Sequence, residues 1–296
     1  MKNTIFTGAG IAVITPFNPD GSINFEEFGR IIDDQINNGT DAIIVCGTTG
    51  ESATMTDEEH RECIRFCIKH VNGRVPVIAG AGSNDTHYAV ELSKEAEAMG
   101  ADALLHVTPY YNKTTQKGLV AHFNAIADAV NIPIILYNVP SRTGVNIDVA
   151  TVKELSKHRN IAAIKEASGN IGYVAKLAAA CGDDIDIYSG NDDMVVPIMS
   201  LGGKGVISVA SHVIPAKMHE MTKLCLDNDF AKASEIQLEY LDLINALFIE
   251  VNPIPVKEAM NMLGYNAGPC RLPLCDMTDE HKAALRASLE SHGLIK

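Results

Sequence analysis

Ile161-Ala162-Ala163-Ile164-Lys165-Glu166 is a run of four apolar residues that ends on an amine and a carboxylate. Its apolar part reads as a parallel strand buried on both faces. A lysine at the end of such a strand is either a solvated charge at a strand terminus or a nucleophile held in a dry pocket. The six residues alone leave both readings open.

Runs of the same kind recur along the chain: Ile11–Ile14, Ala42–Val45, Val75–Ala79, Ala103–Val107, Ile134–Tyr137, Ile185–Tyr188 and Gly205–Val209. Amphipathic segments lie between them. Phe25, Phe28, Ile31, Ile32 and Ile36 share one face of a first helix. Thr56 with Glu59 forms a capping box for a second, and Asn84 is the expected N-cap of a third, lined by Ala89, Leu92, Ala96 and Met99. Gly39, Gly100 and Gly182 stand where helices should stop. Eight strand–helix repeats of about 30 residues are the arithmetic of a (β/α)8 TIM barrel. A doubly wound open sheet alternates similarly. The barrel is favoured because no Gly-x-Gly-x-x-Gly turn follows the first strand, and because polar residues recur at the C-terminal ends of many strands.

Beyond Leu226 the strands cease. Ala231–Phe248, Pro255–Leu263 and Thr278–Ser291 read as consecutive helices, with Pro253, Pro255, Pro269 and Pro273 in the breaks. Residues 1–226 are therefore expected to form the catalytic barrel, and residues 227–296 a three-helix C-terminal extension.

The 296 residues carry a net charge of −13, which disfavours nucleic acid as a partner. No apolar run has the length of a membrane span, and Met1-Lys2-Asn3-Thr4 lacks a signal-peptide pattern. Seven cysteines, an odd number, then read as reduced thiols of a cytoplasmic protein. Cys63 and Cys67 can share a helix face, but no cysteine pair has partners at zinc spacing, so no metal is expected. Asp192 and Asp193 invite a divalent-metal reading, and capping of the next helix is preferred.

Chemistry gathers at strand ends. Gly47-Thr48-Thr49-Gly50-Glu51 follows the second strand; its glycines let backbone N–H groups and threonine hydroxyls approach a carboxylate, although a plain turn would look alike. Thr108-Pro109-Tyr110-Tyr111-Asn112 follows the fourth; two adjacent loop tyrosines suit a subunit contact or a pocket. Tyr137 ends the fifth strand much as Lys165 ends the sixth, and neighbouring strands would set a phenol beside an amine. Arg142 on the next loop offers a planar fork for a carboxylate; alone it would read as a solvated charge. Ser189-Gly190-Asn191-Asp192 after the seventh strand again permits close backbone approach. An amine, a phenol, small-residue loops and a guanidinium at one barrel face suit imine chemistry on an anionic carbonyl compound.

Gly47-Thr48-Thr49-Gly50-Glu51, Pro109-Tyr110-Tyr111-Asn112-Lys113, Tyr137-Asn138-Val139-Pro140-Ser141-Arg142-Thr143-Gly144 and Lys165-Glu166-Ala167-Ser168-Gly169 occur in an order that resembles the dihydrodipicolinate synthase and N-acetylneuraminate lyase superfamily, the pyruvate-dependent Schiff-base aldolases. The resemblance spans the whole chain. Arg142 resembles the synthase branch rather than the sialic-acid lyases. It implies condensation of pyruvate with L-aspartate 4-semialdehyde to 4-hydroxy-tetrahydrodipicolinate, on the diaminopimelate route to lysine. By the same resemblance Lys165 forms the imine, Tyr137, Thr49 and a Tyr111 from a neighbouring subunit move protons, and the amides of Thr48 and Thr49 hold the pyruvate carboxylate. Arg142 then receives the semialdehyde carboxylate, and Gly190 and Ile207 line the pocket with main-chain carbonyls. The iminium is the electron sink, so no cofactor or metal is implied. A homo-oligomer, dimer or tetramer, is implied by the trans tyrosine.

Ser52, Ala53, His60, Asn84 and Tyr110 match the effector site of lysine-sensitive members, whereas Asp57 and Tyr88 stand where those carry His and Glu. Weak or absent inhibition by lysine is therefore expected. The alternatives are an aldolase acting on a sugar acid or another 2-oxo acid, and a catalytically silent barrel that binds pyruvate-like acids.

Overall fold

The computed structural model describes residues 4–296, so the reading of the Met1-Lys2-Asn3 start lies outside the described residues. Eight parallel strands pair in the order β1 to β8, and β8 returns to β1, which closes the barrel and excludes the open sheet. The strands are β1 (Gly8–Ala12), β2 (Ala42–Val45), β3 (Val77–Gly80), β4 (Ala103–Val107), β5 (Ile134–Asn138), β6 (Ile161–Glu166), β7 (Asp186–Ser189) and β8 (Gly205–Ser208). Around them run α1 (Phe25–Asn37), α2 (Asp57–Val71), α3 (Thr86–Met99), α4 (Gln116–Asp128), the single turn α5 (Pro140–Thr143), α6 (Val149–Leu155), α7 (Ile171–Cys181), α8 (Val195–Ser200) and α9 (Pro215–Leu226). Among the described residues no helix is long and apolar enough to cross a membrane.

Two apolar cores result. Between strands and helices lie Phe28, Ile31, Ile32, Leu92, Phe123 and Leu177 with the outward strand residues. Cys63 and Cys67 are wholly buried there, as filler on the inner face of α2, and all seven cysteines are free thiols. Inside the barrel lie Ala12, Ile44, Ile78, Leu105, Ile135, Tyr137, Ala163, Tyr188 and Ile207. Small residues on some strands face large ones on others, which fills the interior in layers.

The register breaks once: Ile134 pairs with Ile161, but Ile135 pairs with Ala163. One extra residue on β6 switches its parity. Ile161 therefore packs outward against helices, while Ala163 and then Lys165 face inward.

Helix ends follow local chemistry. The Thr56–Glu59 capping box forms with both of its hydrogen bonds. The cap of α3 is Asp85 rather than Asn84: the Asp85 carboxylate accepts from the His87 N–H, and the Asn84 amide is drawn off to the Tyr110 carbonyl at 3.2 Å. After α9 come α10 (Phe230–Glu239), α11 (Leu241–Ala246), α12 (Ile254–Met262) and α13 (Asp279–Ser291). The helix expected over 231–248 thus divides at Tyr240, whose ring stacks on His292 at 4.8 Å.

Closure is stitched at the C-terminal end by His212, in the 3-10 turn Ala210–His212 that follows β8. The Ile14 N–H donates to its Nε2 at 3.0 Å, and its Nδ1–H donates to the Val209 carbonyl at 2.8 Å. The first bond requires the neutral imidazole, because a protonated ring has no lone pair at Nε2 to accept with, and burial lowers the His212 pKa to about 4. The unfolded chain protonates first on acidification, so this stability is present above about pH 6.5 and is lost as pH falls toward 4. His212→Gln should cost about 1–2 kcal/mol in urea unfolding at pH 7.5, and the gap to the unmodified chain should narrow between about pH 6.5 and 4.5. A gap that widens on acidification would refute the neutral-imidazole stitch.

Candidate active site

At the C-terminal mouth, pairing of β5 with β6 sets Tyr137 opposite Lys165, and pairing of β6 with β7 sets Lys165 opposite Tyr188. Lys165 is 6% exposed, and its Nζ lies 4.5 Å from the centroid of the Tyr137 ring. The solvated-charge reading of Lys165 is thereby excluded. Phenol and amine do adjoin, but the amine meets the ring face, a cation–π geometry. Tyr188 does not compete for the amine, since its hydroxyl donates to the Phe6 carbonyl at 2.7 Å.

Gly190 shows why this loop needs a glycine. A Cβ there would stand 2.6 Å from the Ala167 Cβ and 3.1 Å from the Lys165 Cε. Its own N–H donates to the Glu166 carbonyl at 2.7 Å. Glu166, beside the lysine, accepts from the Asn138 side chain at 2.7 Å and from the Ser168 N–H at 2.6 Å, while burial raises its pKa.

Asp192 corrects an expectation. Its carboxylate does not cap the following helix; Oδ2 accepts from the Val209 and Ala210 N–H groups at 2.9 and 3.0 Å. The loops after β7 and β8 are tied together, because the free amides at the start of the 3-10 turn are the better donors. Burial raises the Asp192 pKa, and Lys165 is near enough to act against that shift. Among the described residues no group of three or more His, Cys, Asp or Glu side chains is arranged to hold a metal ion.

The Gly47–Glu51 loop makes two successive tight turns, Gly50 N–H to Gly47 O and Glu51 N–H to Thr48 O, both 3.1 Å. Neither the Thr48 nor the Thr49 amide donates to an acceptor among the described residues, so two adjacent N–H groups remain available. Thr49 is buried and its hydroxyl accepts from the Asn252 side-chain amide at 3.0 Å. Arg142, exposed on α5, donates to the Asn252 main-chain carbonyl at 3.3 Å.

A cleft of about 420 Å³ opens beside these residues. Thr48, Tyr137 and Arg142 line it, together with Ser52, Ala53, His60 and Tyr110 from the effector pattern and with Asp57 and Tyr88. Lys165 and Thr49 do not line it; Tyr137 is the shared wall. The two departures from the lysine-sensitive pattern meet here, as the Tyr88 hydroxyl donates to Asp57 at 2.8 Å. His60 bonds the Gly80 carbonyl through Nε2 at 2.8 Å, and burial lowers its pKa. Asn84 braces the tyrosine loop from the cleft's rim, accepting from the Asn112 side chain at 3.0 Å.

Tyr111 stands apart. It is 93% exposed with φ +67°, inside a three-residue turn closed by Asn112 N–H to Tyr110 O at 2.8 Å. Such a turn is strained for a non-glycine residue. Within one chain this tyrosine does not join Lys165.

Sequence reasoning missed the contribution of the C-terminal extension. Glu51, at φ +56°, takes Lys257 Nζ at 2.8 Å and the Arg271 N–H at 2.9 Å. Both members of the Glu51–Lys257 pair are buried, and Lys257 also lies 4.2 Å from the Phe17 ring centroid. Arg271 grips Glu59 with two bonds, 2.8 and 2.6 Å, which holds that carboxyl down at about 2. The available signal was a lysine inside the apolar segment Pro255-Val256-Lys257. Lys257→Met strands a buried carboxylate and should cost about 3–5 kcal/mol in urea unfolding, while the double change Lys257→Met with Glu51→Gln should recover at least about half of that. No recovery would mean that the pair acts through packing rather than charge.

The match to known proteins covers nearly the whole chain. Residues 5–292 fit the model of the dihydrodipicolinate synthetase family. A protein of Caldicellulosiruptor saccharolyticus named 4-hydroxy-tetrahydrodipicolinate synthase is 60% identical over 290 residues, 98% of each chain. The crystal structure of dihydrodipicolinate synthase from Aquifex aeolicus superposes with a TM-score of 0.96 at 47% identity, covering 98% of this chain and 99% of that one. A chloride-inhibited synthase from Acinetobacter baumannii, complexed with pyruvate, gives 0.97 at 40% identity over 99% and 100% of the two chains. The chain belongs to the dihydrodipicolinate synthetase family.

Proposed function

We propose that this chain condenses pyruvate with L-aspartate 4-semialdehyde to give 4-hydroxy-tetrahydrodipicolinate, the reading named for its relatives. The observation that carries it is a buried Lys165 whose amine lies 4.5 Å from the Tyr137 ring centroid at the mouth of a closed barrel. The Lys165 amine attacks the pyruvate ketone and expels water as the imine forms. The iminium then draws electrons from the neighbouring methyl group, which loses a proton and attacks the aldehyde. The semialdehyde's own amine closes the ring onto the imine carbon and releases Lys165. Tyr137 and Thr49 are the proton-moving groups of the chain itself. The unspent Thr48 and Thr49 amides suit the pyruvate carboxylate, with the main chain at Gly190 and Ile207 walling the pocket, and Arg142 suits the second carboxylate.

An exposed Tyr111 in a strained turn supports delivery of that phenol into a second copy's site, and hence a homo-oligomer, dimer or tetramer. Residues 227–296 serve as an extension to the catalytic barrel of residues 1–226. The sugar-acid aldolase and silent-barrel alternatives are less well supported, because Arg142 lines the cleft and Lys165, Tyr137 and Thr49 are all present and buried.

Borohydride reduction in the presence of pyruvate should place an adduct on Lys165 alone, read by peptide mass mapping, and Lys165→Ala should lose it; an adduct elsewhere or none would overturn the mechanism. With the semialdehyde as second substrate, Arg142→Ala should lose a few kcal/mol of kcat/KM, that is about 10²-fold. Equal turnover of the semialdehyde and an uncharged aldehyde by the unmodified enzyme would instead favour the alternative aldolase. The Ser52, Ala53, His60, Asn84 and Tyr110 pocket is a weak lysine site at most, since Tyr88 offers no carboxylate to an ammonium and engages Asp57. An inhibition constant for lysine below about 1 mM (on the order of 4 kcal/mol of binding) would contradict this.

A further inference from the structure

Asn252 lies in the C-terminal extension, 203 residues from Thr49 and 110 from Arg142, yet it touches both. It is 6% exposed. Its side-chain amide donates to the Thr49 hydroxyl oxygen, its main-chain carbonyl accepts from the Arg142 guanidinium, and its Oδ1 has no partner among the described residues. A threonine hydroxyl carries one proton. When Asn252 donates to Oγ1, that proton is left to donate elsewhere; when a neighbour accepts from Oγ1 instead, the proton is spent on the neighbour.

We infer that Asn252 is a positioning residue of the active site: its side chain fixes the direction of the Thr49 hydroxyl toward the barrel mouth, while its carbonyl seats Arg142. This deepens the synthase reading and rests on it. Turning the amide over would let the carbonyl oxygen take the Thr49 proton, and the arrangement present leaves it buried and unpaired instead. The two halves of the residue serve the two substrates separately, so they separate under mutation. The main chain survives any substitution, and the side chain does not.

Asn252→Asp keeps the shape but can only accept from Thr49, and Asn252→Ala removes the contact. Both should lower kcat by about 10–10²-fold, with KM for pyruvate and for the semialdehyde changed less than about 3-fold. In Thr49→Val, adding Asn252→Asp should cause no further loss, because the hydroxyl through which Asn252 acts is gone. Pyruvate-dependent borohydride trapping at Lys165 should persist in each variant, which reports a folded, imine-competent site. Full kcat in Asn252→Asp, or losses that multiply in the double variant, would overturn the assignment; so would a variant that traps pyruvate normally but loses activity only through KM. Failure of the unmodified enzyme to trap pyruvate at Lys165 would be a failure of the synthase reading itself. If Asn252→Asp does not fold, Asn252→Ala and its pairing with Thr49→Val carry the same test.

Discussion

Closure of β8 onto β1 is the constraint on which every other feature depends. It is made by an approach of two glycines. Gly8 pairs with Gly205, whose φ is +158°, and a Cβ on Gly205 would lie 2.0 Å from the Gly8 carbonyl oxygen. No side chain can enter that seam. Because the sheet has no free edge, the strands must tilt, and all eight C-terminal ends are gathered around one mouth. Groups from β2, β5, β6 and β7, far apart in the chain, become neighbours there. An open sheet of the same strands would leave β1 and β8 at opposite edges, and the Ile14 N–H bond to His212, which spans that seam, could not form.

Within the mouth, position follows from register. The pairing Tyr137 with Lys165 sets the level at which amine and phenol meet, and the extra residue at the start of β6 decides that the lysine faces inward. In an uninterrupted strand Ile161 and Lys165, four residues apart, would share a face. One of them would then be misplaced: either an isoleucine would crowd the barrel interior or an amine would lie among the helices. The bulge resolves this, and Gly190 leaves the room through which the lysine stem passes.

The period of strands and helices was legible because it is local and repeats; so were the strand ends at Tyr137 and Lys165, and the capping box at Thr56 and Glu59. What was not legible has no period. The β6 bulge adds a residue to a run, Ala162-Ala163, that looks the same with or without it. Asn84 and Asp85 are equal candidates for a cap until the Tyr110 carbonyl claims one of them. Asp192 reads as a helix cap from its neighbours in sequence, and its true partners are 17 and 18 residues away. The break at Tyr240 has no proline or glycine to mark it. Asn252, 203 residues from Thr49, leaves no trace that separates it from an ordinary linker, and Lys257, 206 residues from Glu51, shows only as a lysine among apolar neighbours. Tyr111 was legible as an anomaly only, since its ring stands 93% exposed and does not join Lys165 within the chain.

The extension is more than a cover. A buried ion pair such as Glu51 with Lys257 gains little over an apolar pair of the same volume, since desolvation offsets most of the attraction. Its effect is on geometry. Glu51 closes the Gly47–Glu51 loop in a left-handed conformation, and its side chain, fixed on Lys257 and the Arg271 N–H, holds the turns before it in place. The Thr48 and Thr49 amides then stay without an acceptor among the described residues. Asn252 applies a similar restraint to the Thr49 hydroxyl of that loop, donating to it from its side-chain amide. An oxyanion site works by donors already aimed when charge arrives. In this chain the loop and its Thr49 hydroxyl are held from the far end of the sequence, by Lys257, Arg271 and Asn252.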